Sequence, residues 1–184
     1  MRRSRSAARC LRVASLTLLG LAGFALNAAS DESKGAVPLS AFPREQIAIE
    51  THSARRHLFE AWRAESFAAR AQGLMFVKDS EMKPDQAMIF VYDPPEQVAM
   101  WMKNTLLPLD MLFVDKRGCI VSLHEHAHPG SLATIESGSP VMLVVELKDG
   151  TIQARGIVRG DRVLRLDVGW PAISQSCTGG DTPR

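Results

Sequence analysis

The segment that decides the fold is residues 109–125, which read LDMLFVDKRGCIVSLHE. Its first part, Leu109–Val114, is an apolar run of the kind that fills a buried strand. The four residues DKRG at 115–118 have the composition of a hairpin-type turn, and Cys119–Glu125 follows as a second strand. We therefore expect two antiparallel strands joined by a tight turn.

The sequence on both sides of this hairpin extends the same pattern. Further strands are predicted at Leu58–Ala64, Ala87–Tyr92, Gln97–Lys103, Val141–Leu147 and Val163–Leu166. A short helix, Phe67–Gln72, is expected between a cap at Ser66 and a stop at Gly73, and a second helix at Asp149–Arg155. These elements predict a mainly β fold (β-rich α+β), a compact small β-barrel or sandwich of six to seven short strands with one or two short helices.

The N-terminal end differs from this central part. Residues 1–30 have the three parts of a secretory signal: an arginine-rich start, the apolar stretch 13–26, and small residues at 28–30. That stretch makes about 21 Å of helix, which is shorter than the roughly 30 Å hydrocarbon core of a bilayer. We therefore expect cleavage near Ser30 and export to a bacterial periplasm. The alternative is an uncleaved segment that anchors the protein to the inner membrane.

The rest of the chain divides into three parts. Residues 31–56 mix charged residues with prolines and are predicted to be a linker or N-terminal arm. Residues 57–166 form the β domain, and residues 167–184 are a polar C-terminal tail. Without the five arginines of residues 1–30, 17 basic residues face 20 acidic ones, a net charge of about −3. This charge, together with few aromatic residues, gives nucleic-acid binding little support.

Two of the three cysteines, Cys119 and Cys177, lie outside the predicted signal. Export permits these two residues to form a disulfide. The alternative is a buried Cys119 and a free Cys177 in the tail. The choice depends on whether their Cα atoms come within bonding range.

Three segments together resemble a known family. They are RAQGLMF at 70–76, WMKNTLLPLD at 101–110 and GIVRGDRV at 156–163. In this order and spacing they are similar to the exported bacterial and archaeal family called domain of unknown function 192, over about residues 57–166. The resemblance implies a small, mainly β fold and no particular activity. The segment HEHAH at 124–128 departs from the family pattern His-Glu-Asn-Ala-Pro, and Met100 stands where an aromatic residue is usual.

The polar residues of the middle segment are the main candidates for a binding site. Lys103 beside Trp101 can bind an anion or carboxylate, or stack its stem on the indole. Asn104 and Thr105 can hydrogen-bond a ligand, and Asp110 can orient Lys103 or act as a general base. The alternative is a structural turn, in which these side chains bond the backbone and Asp110 pairs with Lys103.

Arg70 and the histidines after the hairpin complete the candidate residues. Arg70 can hold a ligand carboxylate with two hydrogen bonds, although a surface salt bridge with Glu65 is the simpler interpretation. His124 can act as a polar site residue or a pH-sensitive hydrogen-bonding group. On a regular strand His124, His126 and His128 share one face and can chelate zinc or copper. We favour the alternative, a flexible loop that carries these three histidines.

These observations favour a non-enzymatic exported domain with its site near Trp101–Asp110. The expected partner is an unknown small molecule or an envelope protein, with no nucleic acid, and with membrane contact only through an uncleaved N-terminal segment. No cofactor is expected. The alternative is a hydrolase or lyase that uses Lys103 and Asp110 as acid/base groups. A further alternative is a periplasmic zinc or copper binder through His124, His126 and His128.

Overall fold

The structure, a computed structural model, describes residues 35–171 and Cys177. The strands are β1 Arg44–Glu50, β2 Arg56–Ala64, β3 Gln86–Glu96, β4 Ala99–Met100, β5 Leu109–Val114, β6 Ile120–Ala127, β7 Ile135–Glu136, β8 Val141–Lys148 and β9 Arg162–Arg165. The helices are α1 Phe67–Gln72 and α2 Thr151–Arg155, with 3-10 turns at Leu39–Ala41 and Asp79–Glu81. The predicted signal and most of the predicted tail lie outside the described residues.

Seven strands form one curled half-barrel sheet, in the order β6-β5-β8-β3-β2-β1-β9. β2 and β3 run parallel, with α1 in the connection between them, and the other neighbouring pairs are antiparallel. The ends of the sheet approach each other at a bridge between Cys119 and Arg162. β4 and β7 pair in a second, two-stranded sheet. The predicted mainly β class is confirmed, and its form is a half-barrel.

Both faces of the central strands are buried. On β3, Met88 and Phe90 face a first apolar cluster, whereas Ile89 faces a second cluster on the other side of the sheet. Because each face has its own core, β5 and β8 read in the sequence as continuous apolar runs. The strands predicted at Leu109–Val114 and Val141–Leu147 are confirmed. In the part of the chain that the structure describes, no helix has the length and apolar character to cross a bilayer.

Strand β1 corrects the prediction of a linker or arm at residues 31–56. β1 lies between β2 and β9, and its Ile47 and Ile49 are fully buried. Glu45 is also buried, because its carboxylate pairs with the guanidinium of Arg165 at 2.6 Å. The charged residues Arg44, Glu45 and Glu50, which belong to the segment predicted as a linker, are therefore part of the sheet.

The strand predicted at Gln97–Lys103 is reduced to the two residues of β4. Ala99 and Met100 pair with Glu136 and Ile135, which make up the whole of β7. Because the partner strand is so short, the ladder ends after two residue pairs. The remaining residues of this segment form a loop over the first apolar cluster.

Cys119 and Cys177 form a disulfide, with their Cα atoms 5.4 Å apart. Of the two alternatives that the sequence leaves open, the structure therefore has the paired one. The bond connects Cys177, which is 58 residues further along the chain, to the residue before β6.

Closing a loop of 58 residues stabilises a fold mainly by restricting the unfolded chain. We expect Cys177→Ser to lower the free energy of unfolding by about 3 kcal/mol, measured by urea unfolding followed through tryptophan fluorescence. Wild-type protein treated with a reducing agent is the matched control and should unfold at the same urea concentration as the variant. An unchanged midpoint in the variant would show that the bond does not contribute to stability.

Candidate functional site

An open cavity of about 400 Å³ lies on the side of the sheet that holds the first apolar cluster. It is bounded by α1, by the end of β3 and by the loop that follows β4. Its wall includes the charged or ionisable side chains of Arg70, Tyr92, Glu96, Lys103 and Glu146 and the ring of Trp101. Four residues of the set predicted from the sequence line the cavity: Arg70, Trp101, Lys103 and Thr105.

Helix α1 forms one wall, and residues visible in the sequence fix both of its ends. The Oγ of Ser66 accepts the amide hydrogen of Ala69 at 3.1 Å and caps the first turn. Gly73 ends the helix with a φ of +49°, a conformation that residues with a side chain rarely adopt. A Cβ atom on Gly73 would lie 2.8 Å from the ring of Phe90. The glycine therefore allows the end of the helix to pack directly on Phe90, which also lines the cavity.

Glu146 is a carboxyl group buried in the wall of this space, which we call the Glu146 cavity. It lies on β8 between Met88 of β3 and Met111 of β5, and it is 4% exposed. No group among the described residues hydrogen-bonds its Oε2. Burial raises the pKa of Glu146 to about 8, because the charged form loses its hydration. At neutral pH the side chain is therefore mainly a neutral carboxylic acid, which can donate a hydrogen bond.

Tyr92 and Arg70 form an adjoining part of the wall. The Arg70 guanidinium stacks on the Tyr92 ring, 4.7 Å from its centroid, and donates a hydrogen bond to a backbone carbonyl of β3 at 3.0 Å. The Tyr92 hydroxyl donates to the Sδ of Met100 at 3.8 Å. Burial raises the pKa of Tyr92 to about 12; the charge of Arg70 opposes this rise, and Glu96 and Glu146 add to it. Tyr92 therefore remains a neutral phenol.

The surface salt bridge considered for Arg70 and Glu65 is not formed among the described residues. Arg70 Nη1 contacts the backbone carbonyl of Glu65, whereas the Glu65 carboxylate pairs with Arg63 at 3.1 Å. No carboxylate of the described residues lies within salt-bridge range of the Arg70 guanidinium. The positive charge of Arg70 is therefore available to the cavity.

The loop after β4 contributes an aromatic ring and a second positive charge. The Nζ of Lys103 lies 5.6 Å from the centroid of the Trp101 ring, which is 47% exposed. Thr105 also lines the cavity, but its Oγ1 donates to the carbonyl of Lys103 at 3.4 Å. Asn104 has a φ of +55°, and its carbonyl accepts the amide hydrogen of Phe76 at 2.9 Å. Asn104 and Thr105 thus build the turn that carries Lys103 to the cavity.

Asp110 lies outside the cavity. It is fully buried on β5, where its Oδ1 accepts the amide hydrogen of His126 at 3.1 Å and its Oδ2 that of Ile152 at 2.8 Å. These two bonds join β5, β6 and the first turn of α2. Lys103 lines the cavity and forms no ion pair with Asp110 among the described residues. This geometry does not support the hydrolase or lyase alternative, which needs the two groups in one cleft.

The histidines at 124, 126 and 128, of which the first two lie on β6, do not converge on a metal site. His126 has a left-handed backbone, with a φ of +57°, and this breaks the alternation of a regular strand. Its Nδ1 lies 2.6 Å from the Oδ1 of Asp149, and that hydrogen bond raises the pKa of the imidazole. The Nδ1 of His128 instead lies 3.2 Å from the carbonyl oxygen of Pro129. The described residues therefore give the zinc or copper alternative no support. The flexible loop that the sequence favours is not formed at His124 and His126, because both lie on β6, and His124 is exposed away from the cavity.

The described residues do contain one group of three potential metal ligands. A carboxylate oxygen of Asp110, a ring nitrogen of His126 and a carboxylate oxygen of Asp149 lie within 4.8 Å of one another. Both oxygens of Asp110 already accept backbone amides, and the ring of His126 pairs with Asp149. Hydrogen bonds within the fold thus account for this group.

Glu146 and Tyr92 are not among the site residues predicted from the sequence, because both lie in runs that predict buried strands. One signal for Glu146 was present. It is the charged residue in the segment VMLVVEL at 141–147, whose other residues are all apolar. An acid buried in such a strand is either paired or has a shifted pKa, which is common at functional sites.

A curled half-barrel sheet with a short helix over one face defines a class of small, mainly β domains. Within this class the chain belongs to the DUF192 family of uncharacterised proteins, whose model matches residues 48–164. A proposed transcription regulator from Sinorhizobium meliloti 1021 is 41% identical, with a TM-score of 0.66, over 68% of this chain and 95% of its own. A protein of unknown function from Novosphingobium aromaticivorans DSM 12444 is 30% identical, with a TM-score of 0.64. The match covers 77% of this chain and 99% of that protein. No curated protein matches the chain.

The substitution Glu146→Gln tests whether burial raises the pKa of this acid. The unfolded chain releases the proton near the ordinary pKa of 4.5 and the folded chain near 8, so the folded state binds more protons between these values. Wild-type stability therefore falls as the pH rises through this window. We expect the free energy of unfolding of the variant minus that of wild type to grow by about 1.4 kcal/mol per pH unit, and to become constant above about pH 8.

Chemical unfolding at a series of pH values measures this difference. Glu136→Gln, at an exposed position of β7, is the matched control and should keep the pH dependence of wild type. If the difference between Glu146→Gln and wild type were the same at every pH, the carboxyl would not be protonated in the folded state.

His126 is expected to titrate above its ordinary pKa of 6.5, because Asp149 stabilises the imidazolium form. The stabilisation from this ion pair is present at low pH and is lost as the pH rises through the pKa of the folded state. An NMR titration of the imidazole signals should show that Asp149→Asn lowers the midpoint of His126. The control Asp85→Asn, at another exposed aspartate, should not change it. Equal midpoints in wild type and Asp149→Asn would contradict the pairing.

Proposed function

We propose that this protein binds a small organic molecule in the Glu146 cavity. The cavity is open to solvent, combines apolar walls with a few polar groups, and has a volume of about 400 Å³. Small-molecule sites in proteins commonly have this size and composition. The sequence predicts a site for a small ligand or for a protein partner. A concave pocket suits a small molecule better than it suits the surface of a partner protein, so we propose a small molecule as the ligand.

The observation that carries the proposal is the difference between Glu146 and the other buried acids. Among the described residues, the buried acids are Glu45, Asp110, Glu146 and Asp161. Glu45 pairs with Arg165, and Asp110 and Asp161 each accept two backbone amides. Glu146 has an oxygen without a hydrogen-bond partner in the same part of the chain, and it faces the cavity.

A ligand can supply the hydrogen-bond partner that Oε2 of Glu146 lacks among the described residues. A buried polar group without a partner costs about 1–3 kcal/mol, and a polar ligand group that reaches Oε2 recovers part of this free energy. The rings of Trp101 and Phe67 are exposed at the cavity and can cover an apolar ligand body. The signal-like residues 1–30 support a site of action in the cell envelope.

The uncharged fluorescent probe N-phenyl-1-naphthylamine tests whether the cavity binds apolar molecules. We expect its emission to rise on binding to wild type, and the variants Ala71→Trp and Ala99→Trp to weaken binding by about tenfold or more, because both alanines line the cavity. Both positions are exposed, so the larger side chain should not disturb the core.

Ala154→Trp is the matched control, because Ala154 is exposed on α2 and does not line the cavity. It should bind the probe as wild type does. The proposal fails if wild type does not bind the probe, or if Ala71→Trp and Ala99→Trp bind it with wild-type affinity.

A further inference from the structure

We infer that the ligand of the Glu146 cavity is an organic acid, with an apolar hydrocarbon body and a carboxylate that hydrogen-bonds the Glu146 carboxyl. This inference rests on the proposed function, since it names the chemical class that the same cavity selects. It depends on the charges around the cavity, on the hydrogen-bonding state of Glu146 and on the apolar lining.

The charges of the cavity wall favour an anion. Arg70 and Lys103 line it, and each positive group stacks on an aromatic ring, at 4.7 Å and 5.6 Å from the ring centroids. Among the residues that the structure describes, neither forms a salt bridge with a carboxylate. Glu96 is the one acid of the wall other than Glu146. With Glu146 neutral, the lining therefore carries a net positive charge at neutral pH.

Because Glu146 is protonated, its carboxyl selects a ligand group that accepts a hydrogen bond. Its proton can be donated to a ligand carboxylate, and a hydrogen bond to a charged acceptor is about twice as strong as one between neutral groups. An ionised Glu146 would instead repel that anion. A cationic ligand would require Glu146 to lose its proton in apolar surroundings and would also face Arg70 and Lys103.

The rest of the wall suits a hydrocarbon body. Leu74, Phe90 and Met100 are buried residues of the first apolar cluster that also line the cavity. The exposed rings of Phe67 and Trp101 lie at the same space. A ligand with a carboxylate at one end and a ring or short chain at the other matches this division into polar and apolar walls.

Because the ligand carboxylate needs the proton of Glu146, its affinity for the cavity should depend on pH. The titratable and charged groups that line the cavity together with Glu146 are Tyr92 and Glu96 from β3, Arg70 from α1 and Lys103 from the loop after β4. Of these, Tyr92 is close enough for the charge of Glu146 to raise its pKa. Its neighbours across the sheet, Met88 and Met111, carry no charge. An anion should bind well while Glu146 holds its proton and poorly once that proton is lost.

Three probes with one hydrocarbon body separate the ligand classes: 4-phenylbutyrate, 4-phenylbutanol and 4-phenylbutylamine. Calorimetric titration at about pH 6.5 should give the tightest binding for the carboxylate. At about pH 9.5 the carboxylate should bind about thirtyfold more weakly to wild type, because the protonated form of Glu146 is then scarce. Glu146→Gln, whose amide can still donate, should lose most of this pH dependence. The alcohol should show little pH dependence in either protein.

The charge contribution is tested by Lys103→Met, which keeps an apolar stem beside Trp101. It should weaken carboxylate binding about threefold to fivefold and leave alcohol binding unchanged. Lys116→Met, at the exposed hairpin turn away from the cavity, is the matched control and should bind all three probes as wild type does.

Three results would overturn the inference. They are tightest binding of the amine, an affinity for the carboxylate that does not fall as the pH rises, and a carboxylate that binds no better than the alcohol. When N-phenyl-1-naphthylamine binds the cavity but the carboxylate does not, the ligand class is wrong and the proposed function stands. When wild type does not bind the fluorescent probe, the proposed function fails, and the inference that rests on it fails as well.

Discussion

The central strand β8 is buried on both of its faces, and the position of the cavity depends on this constraint. β3 and β5 flank β8 in the sheet. Leu143, Val145 and Leu147 belong to the second apolar cluster, whereas Val144 belongs to the first and Glu146 faces the same side. A carboxyl at this point of the strand cannot turn outward to solvent as it would on an edge strand. It reaches solvent only where the first cluster is left open, which is the Glu146 cavity.

Buried acids that accept backbone amides join separate segments of the fold. Asp110 joins β5 to β6 and α2, and Asp161 accepts the amides of His52 and Val158 at 2.7 and 2.8 Å. Their carboxylates lie next to chain segments whose amides are not used by a sheet ladder, so burial does not leave them unsatisfied. Glu146 lies inside a ladder in which the neighbouring amides are already paired. Its surroundings on β8, and not its residue type, therefore separate Glu146 from the structural acids.

Local patterns predicted much of the fold but less of the site. Ser66 and Gly73 predicted the bounds of α1 correctly, because capping depends on residues adjacent in the chain. β1 was wrongly predicted as a linker, because Glu45 is compensated by Arg165, 120 residues away. The three histidines do not share one face as they would on a regular strand, because His126 has a left-handed backbone that breaks the alternation. Such long-range pairs and backbone exceptions leave no periodic signal in the sequence.

The cost of Glu146 to the fold explains why its place in the cavity points to a ligand. With a pKa of about 8 in the folded state and 4.5 ordinarily, the group lowers stability at neutral pH by roughly 3 kcal/mol. A methionine, as at the neighbouring positions Met88 and Met111, would fill the same space without this cost. Among the described residues, the Oε2 of the carboxyl has no hydrogen-bond partner that would offset this cost. A neutral acid in the same cavity wall as Arg70 and Lys103 can donate a hydrogen bond to an anion without repelling it, which neither an apolar nor an ionised side chain can do.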